Sequence, residues 1–329
     1  MITICFNPPK LNRFQKISDK RSMRWTYIFF TAILFPVASY SQTTLMITSD
    51  TTLSKSTIIA DGAKPQLISK QFSFTEGPAV NQKGDIFFTD QPNDKIWKYD
   101  INGKLAVFME KTGRSNGLYF DRQGNLIACA DEKNELWQIS PQKKIKVLIK
   151  DAEGKKLNGP NDLWIDAKGG FYITDPYYQR DYWTTKHADP EGQKVYYLPK
   201  GKKELIVIAD DLQQPNGIVG TPDGKYLFVA DIKADKTYKY EIKADGTLTN
   251  RQLFTAKGSD GMTLDNHGNL YLSGNGITVF NSEGKQIEHI DIPEKWTANL
   301  CFGGKNRDEL FITASQSIYK LQMKVQGVE

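Results

Sequence analysis

L-N-G-P-N-D-L-W-I-D-A-K-G-G-F-Y-I-T-D-P, residues 157–176, decides the fold because the same pattern recurs along the chain. The polar residue Asn161 is followed by an apolar strand, a turn at Gly169 and a second apolar strand. Further copies start at the polar residues Glu76, Asn116, Asn216, Asp260 and Asn299. The turn glycine follows the leading polar residue by 8 positions in every copy except the last, where Arg307 replaces it.

The spacing of these leading residues predicts the architecture. Successive leaders are 40, 45, 55, 44 and 39 residues apart. Short strands repeating at this interval are typical of β-propellers, in which each repeat forms one four-stranded sheet. We therefore predict an all-β, six-bladed β-propeller over residues 66–324, with four-stranded antiparallel blades around a central channel and a short tail at 325–329. The last copy holds three strands, so we expect residues 66–70 to supply its fourth strand and close the ring.

Residues 1–41 have the features of a secretory signal peptide. Three basic residues precede an apolar run at 25–37, and small residues follow it. Met23 is an alternative start. The run is shorter than the roughly 20 residues that a membrane span needs, so we expect export to the periplasm or medium and no span after cleavage. A retained anchor is the alternative, and residues 42–65 are expected to form a loosely ordered lead-in.

The charge balance excludes an obvious nucleic-acid partner. Residues 1–41 contain six Lys and Arg and one acidic residue, which leaves 37 basic and 37 acidic residues in the rest of the chain. No basic stripe remains to bind a phosphate backbone. Cys129 and Cys301 fall in strands of blades that are not neighbours, so we expect two buried free thiols.

The third repeat is long because of an insertion at residues 177–193 between its second and third predicted strands. It carries Tyr177, Tyr178, Tyr182, Trp183 and His187. Long loops in compact domains are often functional, and this composition suits a lid over a polar, ring-shaped ligand. A solvated crossing loop is the alternative. His187 is the histidine placed to reach the channel mouth.

The six leading residues predict a cation site. In a propeller they lie at the same mouth of the channel, and all six carry side-chain oxygens. The two acids among them, Glu76 and Asp260, would repel each other unless a cation lay between them. Oxygen donors suit a hard divalent ion, Ca²⁺ or Mg²⁺ first and Mn²⁺ or Zn²⁺ next. The alternative is that each is an ordinary turn residue before glycine.

A covalent nucleophile is not indicated. The stretch G-R-S-N-G, residues 113–117, matches the G-x-S-x-G motif, which requires a helix after the serine. Here an apolar strand follows, so Ser115 is expected to be a loop residue.

Five short motifs, in order, carry a resemblance to a known family. They are F-T-E-G-P at 74–78, P-N-D at 160–162, Y-I-T-D-P at 172–176, P-N-G at 215–217 and S-D-G-M at 259–262. Together they resemble the gluconolactonase and senescence-marker-protein (regucalcin) family of six-bladed propellers, over about residues 66–322. The resemblance implies that Glu76, Asn216 and Asp260 hold one divalent cation, with Asn161 beside it. Two positions depart from the family pattern: Gly159 replaces a basic residue of some members, and Asp131 replaces a histidine common in bacterial members.

The resemblance implies hydrolysis of a sugar lactone. The cation would polarise the ring carbonyl and orient a water whose pKa it lowers, and Asp260 is our hypothesis for the base. Substrate contacts are expected from five residues: Asn116, Asn161, Asp131, Tyr177 and His187. Two alternatives remain, a non-catalytic Ca²⁺-binding scaffold and a paraoxonase-like or strictosidine-synthase-like enzyme, the paraoxonase type with His187 as the catalytic histidine.

Overall fold

Short antiparallel strands make up about half of the chain that the computed structural model describes, residues 56–189 and 191–328. One 3-10 helix, Gln91–Asn93, joins β3 to β4. The strands are β1 (Gln66–Ser69), β2 (Thr75–Val80), β3 (Ile86–Asp90), β4 (Lys95–Tyr99), β5 (Leu105–Glu110), β6 (Ser115–Phe120), β7 (Leu126–Ala130), β8 (Glu135–Ile139), β9 (Ile145–Ile149), β10 (Leu163–Ile165), β11 (Phe171–Asp175), β12 (Lys194–Leu198), β13 (Ile206–Ala209), β14 (Pro215–Gly220), β15 (Tyr226–Asp231), β16 (Lys236–Ile242), β17 (Leu248–Thr255), β18 (Met262–Leu264), β19 (Leu270–Gly274), β20 (Gly276–Phe280), β21 (Gln286–Ile290), β22 (Thr297–Gly303), β23 (Glu309–Ala314) and β24 (Ser317–Gln322).

The strands form six four-stranded antiparallel sheets, which confirms the six-bladed propeller. Five blades consist of four consecutive strands, the first being β2-β3-β4-β5. The sixth has the order β1-β24-β23-β22, with Gln66 opposite Lys320 and Leu67 opposite Tyr319. The predicted closing strand is therefore correct, and it ties the two ends of the propeller together.

The blades pack face to face, which explains their runs of apolar residues. Strands β7 and β19 are buried along their whole length, because each lies in the interior of a blade covered on both faces by its neighbours. The outer strands β9 and β17 are mostly exposed. In the described residues, Cys129 and Cys301 are both buried and free, as expected.

The six inner strands nearly fill the central channel. A cavity of about 20 Å³ remains there, and residues from all six blades line it, including Pro78, Leu118, Ile218 and Met262. Apolar side chains therefore close the axis of the propeller. The polar side chains that line this cavity are those of Asp162 and Asn299.

The packed body extends beyond the boundaries predicted from the repeats. Ile58 is 2% exposed and Val325 is 1% exposed, and both pack in the core cluster between the fifth and sixth blades. Ile59 forms a β-bridge with Met323. The described part of the expected lead-in, residues 56–65, thus packs against the propeller. The predicted signal peptide lies outside the described residues. No helix in the described ranges is long and apolar enough to cross a membrane.

Truncation of Ile58 tests this extended boundary. We expect Ile58→Ala to lower the free energy of unfolding by about 2–5 kcal/mol, because it leaves a cavity in the core. Leu67 lies inside the predicted propeller but is 53% exposed, so Leu67→Ala should change stability by less than about 0.5 kcal/mol. Urea unfolding of the two variants gives both values. Equal losses would show that the segment around Ile58 does not belong to the folded body.

Candidate metal and active site

Contacts between neighbouring blades bring the six leading residues to one mouth of the channel. We call these residues the mouth ring: Glu76, Asn116, Asn161, Asn216, Asp260 and Asn299. Glu76, Asn116 and Asn216 lie within the inner strands β2, β6 and β14, so the turn-residue alternative does not describe them. Asn161 and Asp260 lie two residues before their inner strands, β10 and β18. The ring residues are buried except Asp260, which is partly exposed.

Neighbouring blades approach so closely at the ring that a glycine follows four of the six leaders. A Cβ on Gly77 would lie 2.2 Å from the carbonyl oxygen of Asn116, and one on Gly117 would lie 2.5 Å from that of Asn161. A Cβ on Gly261 would lie 2.0 Å from the side chain of Asn299. These glycines are required by contact between blades. The glycine after these four leaders therefore marks the ring in the sequence.

The Asp260 carboxylate accepts two side-chain hydrogen bonds at the ring. Asn216 Nδ2 donates to Asp260 Oδ1 at 2.7 Å, and Trp296 Nε1 donates to Asp260 Oδ2 at 2.5 Å. Asn216 Nδ2 also lies 2.8 Å from the hydroxyl oxygen of Tyr178, which comes from the insertion. The structure thus brings the predicted ligands Asn216 and Asp260 together. Tyr178 and Trp296 complete their surroundings, although neither was predicted from the sequence as a site residue.

The two predicted acids lie close enough to influence each other. Burial raises the pKa of Glu76 well above its usual range, and the charges of Asp260 and Asp162 raise it further. Burial also raises the pKa of Asp260 to about 6, against hydrogen bonds from Trp296 and Asn216 that lower it. Buried carboxylates that repel each other favour either a proton or a cation.

Asp162 is a further acid at the ring that the sequence interpretation missed. Its Oδ1 accepts from the backbone N–H of Leu163 at 2.9 Å, and Asn299 Nδ2 lies 3.4 Å from its Oδ2. Blades three and six are opposite each other, so this contact crosses the channel. A signal was available, because four leaders precede glycine and Asn161 precedes an acid instead.

The donor set fits a hard divalent cation. The side-chain oxygens Oδ1 of Asn116 and Asn216 are buried without a hydrogen-bond partner, a costly state that a cation would relieve. In the described part of the chain, no three His, Cys, Asp or Glu side chains cluster closely enough to hold a metal. Amide oxygens must therefore complete any site built on Glu76 and Asp260, as Ca²⁺ and Mg²⁺ sites allow.

The other residues predicted to contact substrate are Asn161, Tyr177 and His187, of which Asn161 belongs to the ring. Asn161 is buried in it, and its backbone N–H donates to the carbonyl oxygen of Thr174 at 2.9 Å. Tyr177 donates its backbone N–H to Gln193 at 2.6 Å. His187 is exposed and lines a cavity of about 550 Å³ that contains no ring residue. The structure therefore does not bring His187 to the channel mouth.

Asp131 contacts the insertion. Its Oδ2 accepts from Arg180 Nε at 3.0 Å and from the hydroxyl of Tyr182, and its carbonyl oxygen accepts from Trp183 Nε1 at 2.9 Å. It is 3% exposed. The carboxylate predicted to bind substrate is already bonded to two side chains of the insertion.

Comparison with known proteins agrees with this architecture. A family described as the SMP-30/Gluconolactonase/LRE-like region matches residues 74–316. The chain belongs to this family. It is 27% identical to a gluconolactonase of Zymomonas mobilis over 82% of this chain and 84% of that protein. It is 25% identical to the diisopropyl-fluorophosphatase of Loligo vulgaris over 79% of this chain and 92% of that protein.

A solved structure of a family member superposes well. The gluconolactonase XC5397 of Xanthomonas campestris is 26% identical, and the match has a TM-score of 0.75 over 80% of this chain and 90% of that one.

The raised pKa values predict how pH changes the metal-free protein. The folded state favours the protonated form of Asp260, so this contribution to stability is present below pH 4 and is lost as pH rises through about 6. Asp260→Asn removes it. In chelator, we expect wild-type protein to lose at least about 2–4 °C of Tm relative to Asp260→Asn between pH 5 and 8, as a change of 1 kcal/mol would cause.

Thermal unfolding of both proteins at four pH values measures this difference. Each protein is measured with chelator and with about 5 mM Ca²⁺, a concentration above the Kd of weak Ca²⁺ sites. Divalent ion should protect the wild-type protein more as pH rises, because the carboxylates must lose their protons to bind it. Parallel curves for the wild-type protein and the variant would contradict the assignment.

Proposed function

We propose that the protein is a metal-dependent hydrolase that opens a sugar lactone. The observation that carries this proposal is the convergence of Glu76 and Asp260 with two partnerless amide oxygens at the channel mouth. The lactonase names of several relatives support the reaction class. The metal requirement rests on the chemistry of the ring itself.

Glu76, Asn216 and Asp260 would hold one divalent cation, with Ca²⁺ the first candidate from the all-oxygen donor set. Bound there, such an ion supplies Lewis-acid polarisation of an ester carbonyl. Tyr178 and Trp296 orient the ring residues Asn216 and Asp260 through the contacts described above. The ring is thereby prearranged before substrate enters.

Asp260 is the residue best suited to take a proton from the attacking water. It is partly exposed, unlike the other ring residues, so it can meet a water at the mouth, and carboxylates are common general bases. The amides of Asn116 and Asn161 can hydrogen-bond the hydroxyl groups of a sugar ring. The lactone ester then opens to a hydroxy acid without a covalent intermediate.

The two alternatives have weaker support. A paraoxonase-like mechanism needs a histidine beside the ring, and His187 lines a cavity that contains no ring residue. A non-catalytic Ca²⁺-binding scaffold would bind metal at the ring without turnover. Export, to the periplasm or the medium, is also part of our proposal, and it rests on the basic, apolar and small residues in sequence at 20–41.

The first test is hydrolysis of an aldonolactone panel by metal-stripped protein with Ca²⁺, Mg²⁺, Mn²⁺ or Zn²⁺ added back. We expect metal-dependent turnover, and Glu76→Gln should abolish it by removing a charged ligand. Glu283→Gln is the matched control, since Glu283 is an exposed carboxylate away from the ring. Metal binding without turnover of any lactone would favour the scaffold alternative.

A second test separates the base from the ligand role of Asp260. We expect Asp260→Asn to lower kcat by about 10²–10⁴-fold, the range typical of a lost general base. Metal affinity is measured in parallel by calorimetry, so that turnover can be compared at saturating metal. Full turnover by a metal-loaded Asp260→Asn protein would remove Asp260 from the base role.

A further inference from the structure

The insertion of the third blade places a cation beside the mouth ring. Arg180 donates from Nε to Asp131 Oδ2 at 3.0 Å, and its guanidinium lies 5.7 Å from the centre of the Tyr178 ring. The hydroxyl of Tyr178 lies 2.8 Å from Asn216 Nδ2, which donates to Asp260 Oδ1 at 2.7 Å, so Tyr178 links Arg180 to the ring. Arg180 therefore stands between the buried carboxylate of Asp131 and the ring.

Asp131 has no equivalent in the other blades. In three of them the aspartate that ends the second strand accepts the backbone N–H groups that precede the inner strand: Asp90, Asp175 and Asp231. The second blade has Ala130 at this position, and the next residue, Asp131, binds the insertion. The carboxylate of Asp131 therefore binds the insertion rather than the backbone before an inner strand, and it positions Arg180.

The backbone at Gly159 leaves room for this arrangement. A Cβ at Gly159 would lie 2.6 Å from the Trp183 ring and 3.1 Å from Asp131 Oδ1. Trp183 donates its indole N–H to the carbonyl oxygen of Asp131 at 2.9 Å. The space beside the P-N-D motif is thus filled by the insertion, which brings its own cation, Arg180, to that edge of the ring.

We propose that Arg180 is a specificity-determining residue that binds a carboxylate group of the sugar ligand, with Asp131 as its positioning residue. This inference rests on the proposed lactone hydrolysis. The Arg180 side chain is 22% exposed, so it can meet a ligand. Its hydrogen bond to Asp131 uses Nε, and the terminal nitrogens Nη1 and Nη2 carry further N–H donors in the planar fork that matches a carboxylate.

A cation is needed at this point for an anionic ligand to approach. Glu76, Asp162 and Asp260 are all carboxyl groups at the same mouth. The proposed divalent cation offsets two of these charges, and Arg180 offsets the third, which would otherwise repel a carboxylate. The carboxylate could be the one that ring opening creates, or a substituent that the lactone already carries. Both present the same chemistry to Arg180, and separate measurements distinguish them.

The experiment compares R180Q, R180K and D131N with the wild-type protein. K186Q is the matched control, because Lys186 is an exposed cation of the same insertion. The probes are gluconate, bound at fixed Ca²⁺ and followed by calorimetry, and two lactones, neutral glucono-1,5-lactone and carboxylate-bearing glucaro-1,4-lactone. Thermal unfolding is measured for each variant, and R180K retains the charge without the fork.

For R180Q we expect a loss of about 10–100-fold in carboxylate recognition, the value of one charge-assisted pairing. If gluconate affinity falls, the carboxylate is the one that ring opening creates; if KM for the glucaro-lactone rises, it is a substituent. KM for the neutral lactone should change by less than about threefold. D131N and R180K should show smaller changes in the same direction, and K186Q should match the wild-type protein.

The inference is overturned if R180Q changes neutral and anionic ligands equally, or changes neither. A general disturbance of the fold would give the first of these results, which is why the ratio between ligands is the deciding quantity. If the wild-type protein hydrolyses no lactone with any metal, the proposed function fails. Calorimetry with gluconate then still decides the role of Arg180, because wild-type binding that R180Q does not weaken contradicts it.

Discussion

The close approach of the six inner strands at the channel mouth is the constraint on which the rest of the site depends. It requires glycine after four leaders, since a Cβ there would meet the backbone or side chain of the next blade. It also brings Glu76 and Asp260, which are 184 positions apart in the chain, into one buried space. Residues remote in sequence thereby become one polar ring without any loop having to fold over it.

This arrangement places an energetic burden on the fold. Carboxylates with raised pKa values and amide oxygens without partners destabilise a folded state that holds no cation. The strands beneath the ring offset that cost by burying apolar residues on both faces of each blade. The propeller can therefore keep a strained polar mouth because its stability comes from elsewhere. A bound cation would relieve the repulsion between the carboxylates and give the amide oxygens a partner, so the same cost would favour cation binding.

The fold could be predicted from the sequence because one spacing repeats, and a fixed offset between leader and turn sets which residue reaches the channel mouth. The same logic predicted the mouth ring and the closing strand at Gln66. Tyr178 and Trp296 could not be predicted, since their positions depend on how an insertion and an irregular loop cross the ring. Ile58 and Val325 were missed because isolated apolar residues outside the repeats carry no period. Asp162 was visible as a break in the leader–glycine pattern.

The mouth ring and the insertion of the third blade are positioned by different parts of the fold, and this separation allows substrates to vary between relatives. The ring residues lie at or just before the starts of inner strands, where the register of the blade fixes the positions of their side chains. Arg180 and Tyr178 come from the insertion of the third blade. Asp131 binds this insertion, and Ala130 stands at the strand end where three other blades have an aspartate that binds the backbone. A change in the insertion can therefore alter the charge presented to the ligand while the ring is preserved. Relatives named for the cleavage of different bonds are what such a division allows.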